Sequence, residues 1–128
     1  MVQGSALVVD DEHNIVDLLT DLLEGELGLQ VLRAYDGLAA LEAFERARPD
    51  LVIADIMMPR LDGLTLAHRL RDRFESPRII LMSAAVMPRT EEFAYIAKPF
   101  DINRMLDLVC EMLDDSAETM LSNGNGPN

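Results

Sequence analysis

Short, unbroken apolar runs, separated by stretches with helical apolar spacing, constrain this chain more than any other feature. The runs are ALVV (6–9), LVIA (51–54), RIILM (78–82) and a weaker YIA (95–97), with QVLRA (30–34) as a fifth candidate. Those at 6, 51 and 78 do not alternate with polar residues. That is the pattern of strands buried on both faces of a parallel sheet. Between the runs, Ile15, Leu18, Leu19, Leu22 and Leu23 follow helical spacing, with Gly28 as a stop. Asp36 caps a predicted helix carrying Leu38, Leu41 and Phe44 that ends before Pro49. Leu66, Ala67, Leu70 and Phe74 form a third stripe, and Asp101 caps a last helix bearing Ile102, Met105, Leu106, Val109 and Leu113. Strand and helix alternate, which predicts an open α/β parallel sheet with helices on both faces.

One connection breaks the rhythm. Between Ser83, ending the fourth strand, and Phe93, opening the fifth, lie only residues 84–92, including Pro88. A parallel crossover normally needs roughly ten to twelve residues or more, so this one holds a helical turn at most. We expect a single domain over 1–115 and a polar, disordered tail or linker stub over 116–128, where SNGNGPN is rich in Gly and Asn. With one cysteine, no export signal and no long apolar run, the expected location is the cytoplasm, with no membrane partner. A net charge of −12 opposes direct binding to nucleic acid.

In an open parallel sheet, ligands bind beyond the carboxyl ends of the strands. Asp10 and Asp11 follow the first run, Asp55 the third, Ser83 the fourth and Lys98 the fifth. Each has an ordinary structural reading when taken alone, as a helix cap, a turn residue or a surface lysine. Their convergence on one rim is the signal. Three neighbouring carboxylates stay ionised together only beside a cation, and oxygen ligands in this sparse number suit Mg²⁺. A carboxylate there can also serve as the nucleophile that forms an aspartyl-phosphate. Lys98 and the Ser83 hydroxyl are suited to hold phosphate oxygens.

These residues resemble the response-regulator receiver domain of two-component signalling. The resemblance covers about residues 4–115 and rests on LVVDDEHNIVDLL, PDLVIADIMMPRLDGL, IILMS and YIAKPF. It implies a flavodoxin-like, doubly wound, five-stranded parallel sheet of order 2-1-3-4-5, with the fourth helix reduced or absent. It also implies that Asp55 is the phosphoacceptor and that Asp10, Asp11, Asp55 and the Met57 backbone carbonyl hold Mg²⁺. Ser83, Tyr95 and Lys98 become the phosphate-binding and switch residues, and Lys98-Pro99 a candidate cis bond. The implied function is acceptance of a phosphoryl group from a sensor histidine kinase or phosphotransfer protein, without turnover of a separate substrate. Loss of the fourth helix leaves the 83–98 face as the expected seat of a partner or a second copy. The competing reading is a receiver-like interaction module that is not phosphorylated, although none of the key residues is missing. An aspartyl-nucleophile phosphatase of the haloacid-dehalogenase type needs an acid two places after the nucleophile, where this chain has Met57. A flavodoxin-like flavin binder needs a first loop rich in Ser, Thr and Gly, where this chain has Asp10, Asp11 and Glu12.

Overall fold

A computed structural model describes the backbone of residues 4–84 and 92–124, and the side chains of 4–84 and 92–114. Five strands, β1 (Ser5–Val9), β2 (Gln30–Ala34), β3 (Leu51–Asp55), β4 (Ile79–Ser83) and β5 (Ala94–Ala97), form one parallel sheet in the order β2-β1-β3-β4-β5. Four helices complete the described fold: α1 (His13–Leu27), α2 (Gly37–Ala47), α3 (Gly63–Arg73) and α4 (Ile102–Gly124). Among the described residues no helix lies between β4 and β5. The centre of that connection, residues 85–91, is outside the described residues.

The unbroken apolar runs conceal a period of two. Ala6, Val8, Ile53, Ile80, Met82 and Ile96 face α1 and α4, whereas Leu7, Val9, Val52, Ala54 and Leu81 face α2 and α3. Helices cover both faces, so every residue of the central strands β3 and β4 is buried and no polar alternation survives there, whereas the edge strands β2 and β5 keep exposed positions. Asp36 accepts a hydrogen bond from the Ala39 N–H at 2.9 Å, and Asp101 from the Arg104 N–H at 3.0 Å, as their positions predicted. Gly28 ends α1 at φ 71°, a left-handed conformation that glycine adopts without strain.

The helix faces differ in detail from the stripes read in the sequence. The buried row of α1 is Val16, Leu19, Thr20 and Leu23, and that of α4 is Met105, Leu108 and Val109. Leu18, Leu38 and Ile102 fall outside these rows and stay exposed at 42%, 47% and 46%. The helix also continues beyond residue 115 to Gly124, so the stretch expected as an irregular tail begins helical. Its residue types explain this: Ala117, Glu118, Met120 and Leu121 are good helix formers, and the breakers start only at Asn123-Gly124. No helix among the described residues is long and apolar enough to cross a membrane.

Gly63 brings α3 against the end of β3. Its N–H donates to the Ile56 carbonyl at 2.9 Å, and a Cβ there would collide with the backbone carbonyl of Asp55. Backbone cannot swing aside, so Gly63→Ala is expected to cost about 1–3 kcal/mol in urea unfolding. The contrasting substitution is Gly25→Ala in exposed α1, where a Cβ meets nothing within 4 Å. It should stabilise by roughly 0.5–1 kcal/mol.

Candidate functional site

The strand register aligns the carboxyl ends of β1, β3, β4 and β5. Val9 lies opposite Ala54, Asp55 opposite Met82, and Ser83 opposite Ala97. Asp10, Asp55, Ser83 and Lys98 therefore emerge along one rim, each fixed by the strand it ends or follows. Asp10, Asp11 and Asp55 each offer a carboxylate oxygen, all within 4.8 Å of one another. Asp10 and Asp55 are buried and Asp11 is exposed.

Asp10 is the most deeply set of the three, with no exposed surface. Its Oδ1 accepts from the Glu12 N–H at 2.9 Å, and its Oδ2 from Lys98 Nζ at 3.0 Å. The same ammonium lies 3.3 Å from Glu12 Oε1 and 3.5 Å from Asp55 Oδ1. Burial pushes the Asp10 carboxyl above the usual range, against the pull of the Glu12 N–H and Lys98. Burial does the same to Asp55, reinforced by the negative charge of Asp10 and opposed by Lys98. Burial alone would lower the Lys98 ammonium, but Asp10, Asp55 and Glu12 together raise it. Three carboxylates share one ammonium with Asp11 close by, and the two buried acids remain short of positive charge. An all-oxygen cluster with this deficit fits a hard divalent cation.

Ser83 is buried at the end of β4, and its carbonyl accepts from the Lys98 N–H at 2.8 Å. Lys98-Pro99 is cis. Met57 lies in the loop leaving β3, with its side chain 69% exposed. Tyr95 is set apart from the acids. Its ring packs in the core facing α2 and α3, and its hydroxyl is buried without a hydrogen-bond partner among the described residues. Burial, and secondarily the charge of Glu92, raises the Tyr95 phenol.

Glu12 is the N-cap residue of α1, makes no side-chain cap bond, and turns its carboxylate to Lys98. The signal for this was a count of charges: four acids on a rim that carries one lysine. His13 is exposed as expected, but it stacks on Tyr35 with ring centroids 4.0 Å apart.

A five-stranded parallel sheet of order 2-1-3-4-5, carrying an acidic rim with one lysine, defines a flavodoxin-like α/β protein. Residues 6–110 match the response regulator receiver domain, and the chain belongs to that family. It is 34% identical over 120 residues to the sporulation initiation phosphotransferase F of Bacillus subtilis, a match covering 88% of this chain and 96% of that protein. It is 39% identical over 105 residues to the transcriptional regulatory protein CseB of Streptomyces avermitilis, covering 77% of this chain and 44% of that one. The chain thus spans nearly all of the first relative but less than half of the second. Among solved structures, the response regulator TrrA of Thermotoga maritima in complex with Mg(2+)-BeF superposes with a TM-score of 0.78 at 35% identity, covering 85% of this chain and 98% of that one. Proteins of this family are signal receivers, phosphorylated on an aspartate within phosphorelays, and this chain is a receiver domain of that kind.

A carboxyl whose pKa is higher folded than unfolded contributes stability that is complete below its unfolded value and is lost as pH rises through its folded value. Asp10 and Asp55 both shift in that direction. With metal withheld, their contribution should therefore grow as pH falls from neutral. Asp55→Asn should flatten part of that slope and raise neutral-pH stability by on the order of 1 kcal/mol. Thermal melts of both proteins in chelator across pH check this; an unchanged slope counts against it.

Proposed function

We propose that Asp55 is the phosphoacceptor of this receiver domain. We further propose that Asp10, Asp11, Asp55 and the Met57 backbone carbonyl hold Mg²⁺. The observation that carries this reading is the buried Asp55 carboxylate, within 4.8 Å of two further acids and 3.5 Å from Lys98. Bound there, Mg²⁺ supplies the positive charge that offsets the phosphoryl oxygens. One Asp55 oxygen attacks phosphorus. The bond from phosphorus to the donor histidine nitrogen breaks, and its electron pair stays on the imidazole. Lys98 presents its ammonium to the incoming phosphoryl oxygens, and the Ser83 hydroxyl donates to one of them. Tyr95 is the residue whose packing answers the change, because its buried hydroxyl lacks a partner and is costly where it stands.

The donor is a phosphohistidine of a sensor kinase or phosphotransfer protein in the cytoplasm, and the domain turns over no separate substrate. Supporting this, an apolar groove of about 190 Å³ opens beside Lys98, between Ile15 and Leu18 of α1 and Pro99, Phe100 and Ile102. Of the 83–98 face, where a partner or second copy was expected, residues 85–91 lie outside the described residues.

Labelling with a small phosphodonor and Mg²⁺ tests the assignment. Asp55→Asn should reduce incorporation at least ~100-fold, the scale expected when a nucleophile is lost. Replacing Asp10 and Asp11 together by Asn should abolish the dependence on Mg²⁺ while leaving the fold intact. Equal labelling of the wild type and Asp55→Asn would end the assignment.

A further inference from the structure

Lys98 is committed to three acceptors at once. An ammonium has three N–H donors and accepts nothing. Asp10 at 3.0 Å, Glu12 at 3.3 Å and Asp55 at 3.5 Å leave none of these donors without a carboxylate before it. A phosphoryl group on Asp55 adds new oxygen acceptors. The N–H that faces Asp55 can pass to one of them, but to serve a second Lys98 must give up Asp10 or Glu12.

The three partners differ in what their release costs. The Asp10 side chain is fully buried, so stripping it of its ammonium leaves a desolvated charge, whereas Asp55 passes its charge to the phosphoryl group it receives. The Glu12 side chain is 66% exposed, and water replaces Lys98 there at little cost. Glu12 is also free to play this part. As N-cap of α1 it uses only its backbone: the carbonyl accepts from the Ile15 and Val16 N–H groups at 3.1 and 3.3 Å, and the N–H donates to Asp10 Oδ1 at 2.9 Å.

We propose that Glu12 is a positioning residue that restrains Lys98 in the unphosphorylated protein and is the partner Lys98 leaves when it turns to the phosphoryl group. Glu12 thus acts on the phosphorylated state through Lys98, without touching the reacting atoms. The proposal rests on Asp55 as phosphoacceptor.

The test is Mg²⁺-dependent binding of beryllium fluoride, as a phosphoryl mimic, to the full chain, read by calorimetry or fluorine NMR. Mg²⁺ binding is measured alone in parallel. Glu12→Gln removes the charge. Glu12→Asp keeps the charge but is one methylene too short to hold Lys98 from the same backbone position. Both should bind the mimic roughly two- to five-fold more tightly than wild type, the scale of one exposed ion pair. Only Glu12→Gln should also weaken Mg²⁺ binding, through loss of charge near the acids. A gain confined to Glu12→Gln would mean a field effect and overturn the restraint. So would two variants that match wild type. A wild-type protein that binds no mimic in saturating Mg²⁺ would instead overturn the phosphoacceptor reading itself.

Discussion

The contact between Lys98 and Asp10 organises the end of the molecule that does chemistry. The two residues are 88 positions apart in sequence, and their strands are not neighbours: β3 and β4 lie between β1 and β5. The side chain of Lys98 crosses that rim to reach Asp10 at 3.0 Å, with Asp55, at the end of β3, lying 3.5 Å from the same ammonium. An isolated ionised carboxylate as buried as Asp10 would be prohibitively costly. The ammonium makes the arrangement tolerable without neutralising it, because one positive charge faces several acids. The remaining deficit suits the site to a hard divalent cation.

The sheet that supports this rim was legible in the sequence to an unusual degree. Parallel strands with both faces buried read as unbroken apolar runs, and Ala6–Val9, Leu51–Ala54 and Ile79–Met82 are fully of that kind. Helix starts were legible at Asp36 and Asp101, where a side chain closes a local bond, but not at Asp62, which caps α3 by accepting from the Thr65 N–H at 2.8 Å. The acids of the site could be placed because position at a strand's end is a property of the strand. What escaped was whatever depends on a distant partner or on rotation about a helix axis. Spacing alone could not tell that Val16 faces the core while Leu18 does not, because either choice gives an apolar face. Nor could it show that Glu12 reaches a lysine 86 positions away, or that His13 stacks on Tyr35.

The short β4–β5 connection raises a question of anchorage, since β5 has only four residues and lies at the sheet's edge. Part of the answer lies on α3. His68 meets the Phe93 ring edge-on at 5.1 Å, and the Arg71 guanidinium sits 4.8 Å from the same ring. Glu92 pairs with Arg71 at 3.5 Å. The exposed ion pair contributes little by itself, but the ring and the guanidinium also bury surface against each other. These contacts hold the chain just before β5, two residues from Tyr95 and five from Lys98. The start of the strand is therefore tied to α3 while its end is tied to Asp10 on β1. A change in Lys98's partners at one end of so short a strand must be accommodated within a few residues, and Tyr95 lies among them with an unpartnered hydroxyl.

That hydroxyl and the two buried carboxyls have a feature in common. Each is a buried polar group: the hydroxyl lacks a hydrogen-bond partner among the described residues, and the carboxyls, though paired, are pushed above their usual range by burial, in a protein whose helix caps and strand ladders elsewhere obey local rules. Such violations cost stability, and a sequence selected for stability alone would replace all three groups. They occur together at the carboxyl ends of β1 and β3 and in the adjoining edge strand β5, and nowhere in the bulk of the core. A sheet with two well-packed faces tolerates that local cost because its apolar residues are distributed over both layers of helices. The same packing makes the site responsive. A rim held rigidly by four strands cannot relax to relieve its charge, so relief has to come from what binds there.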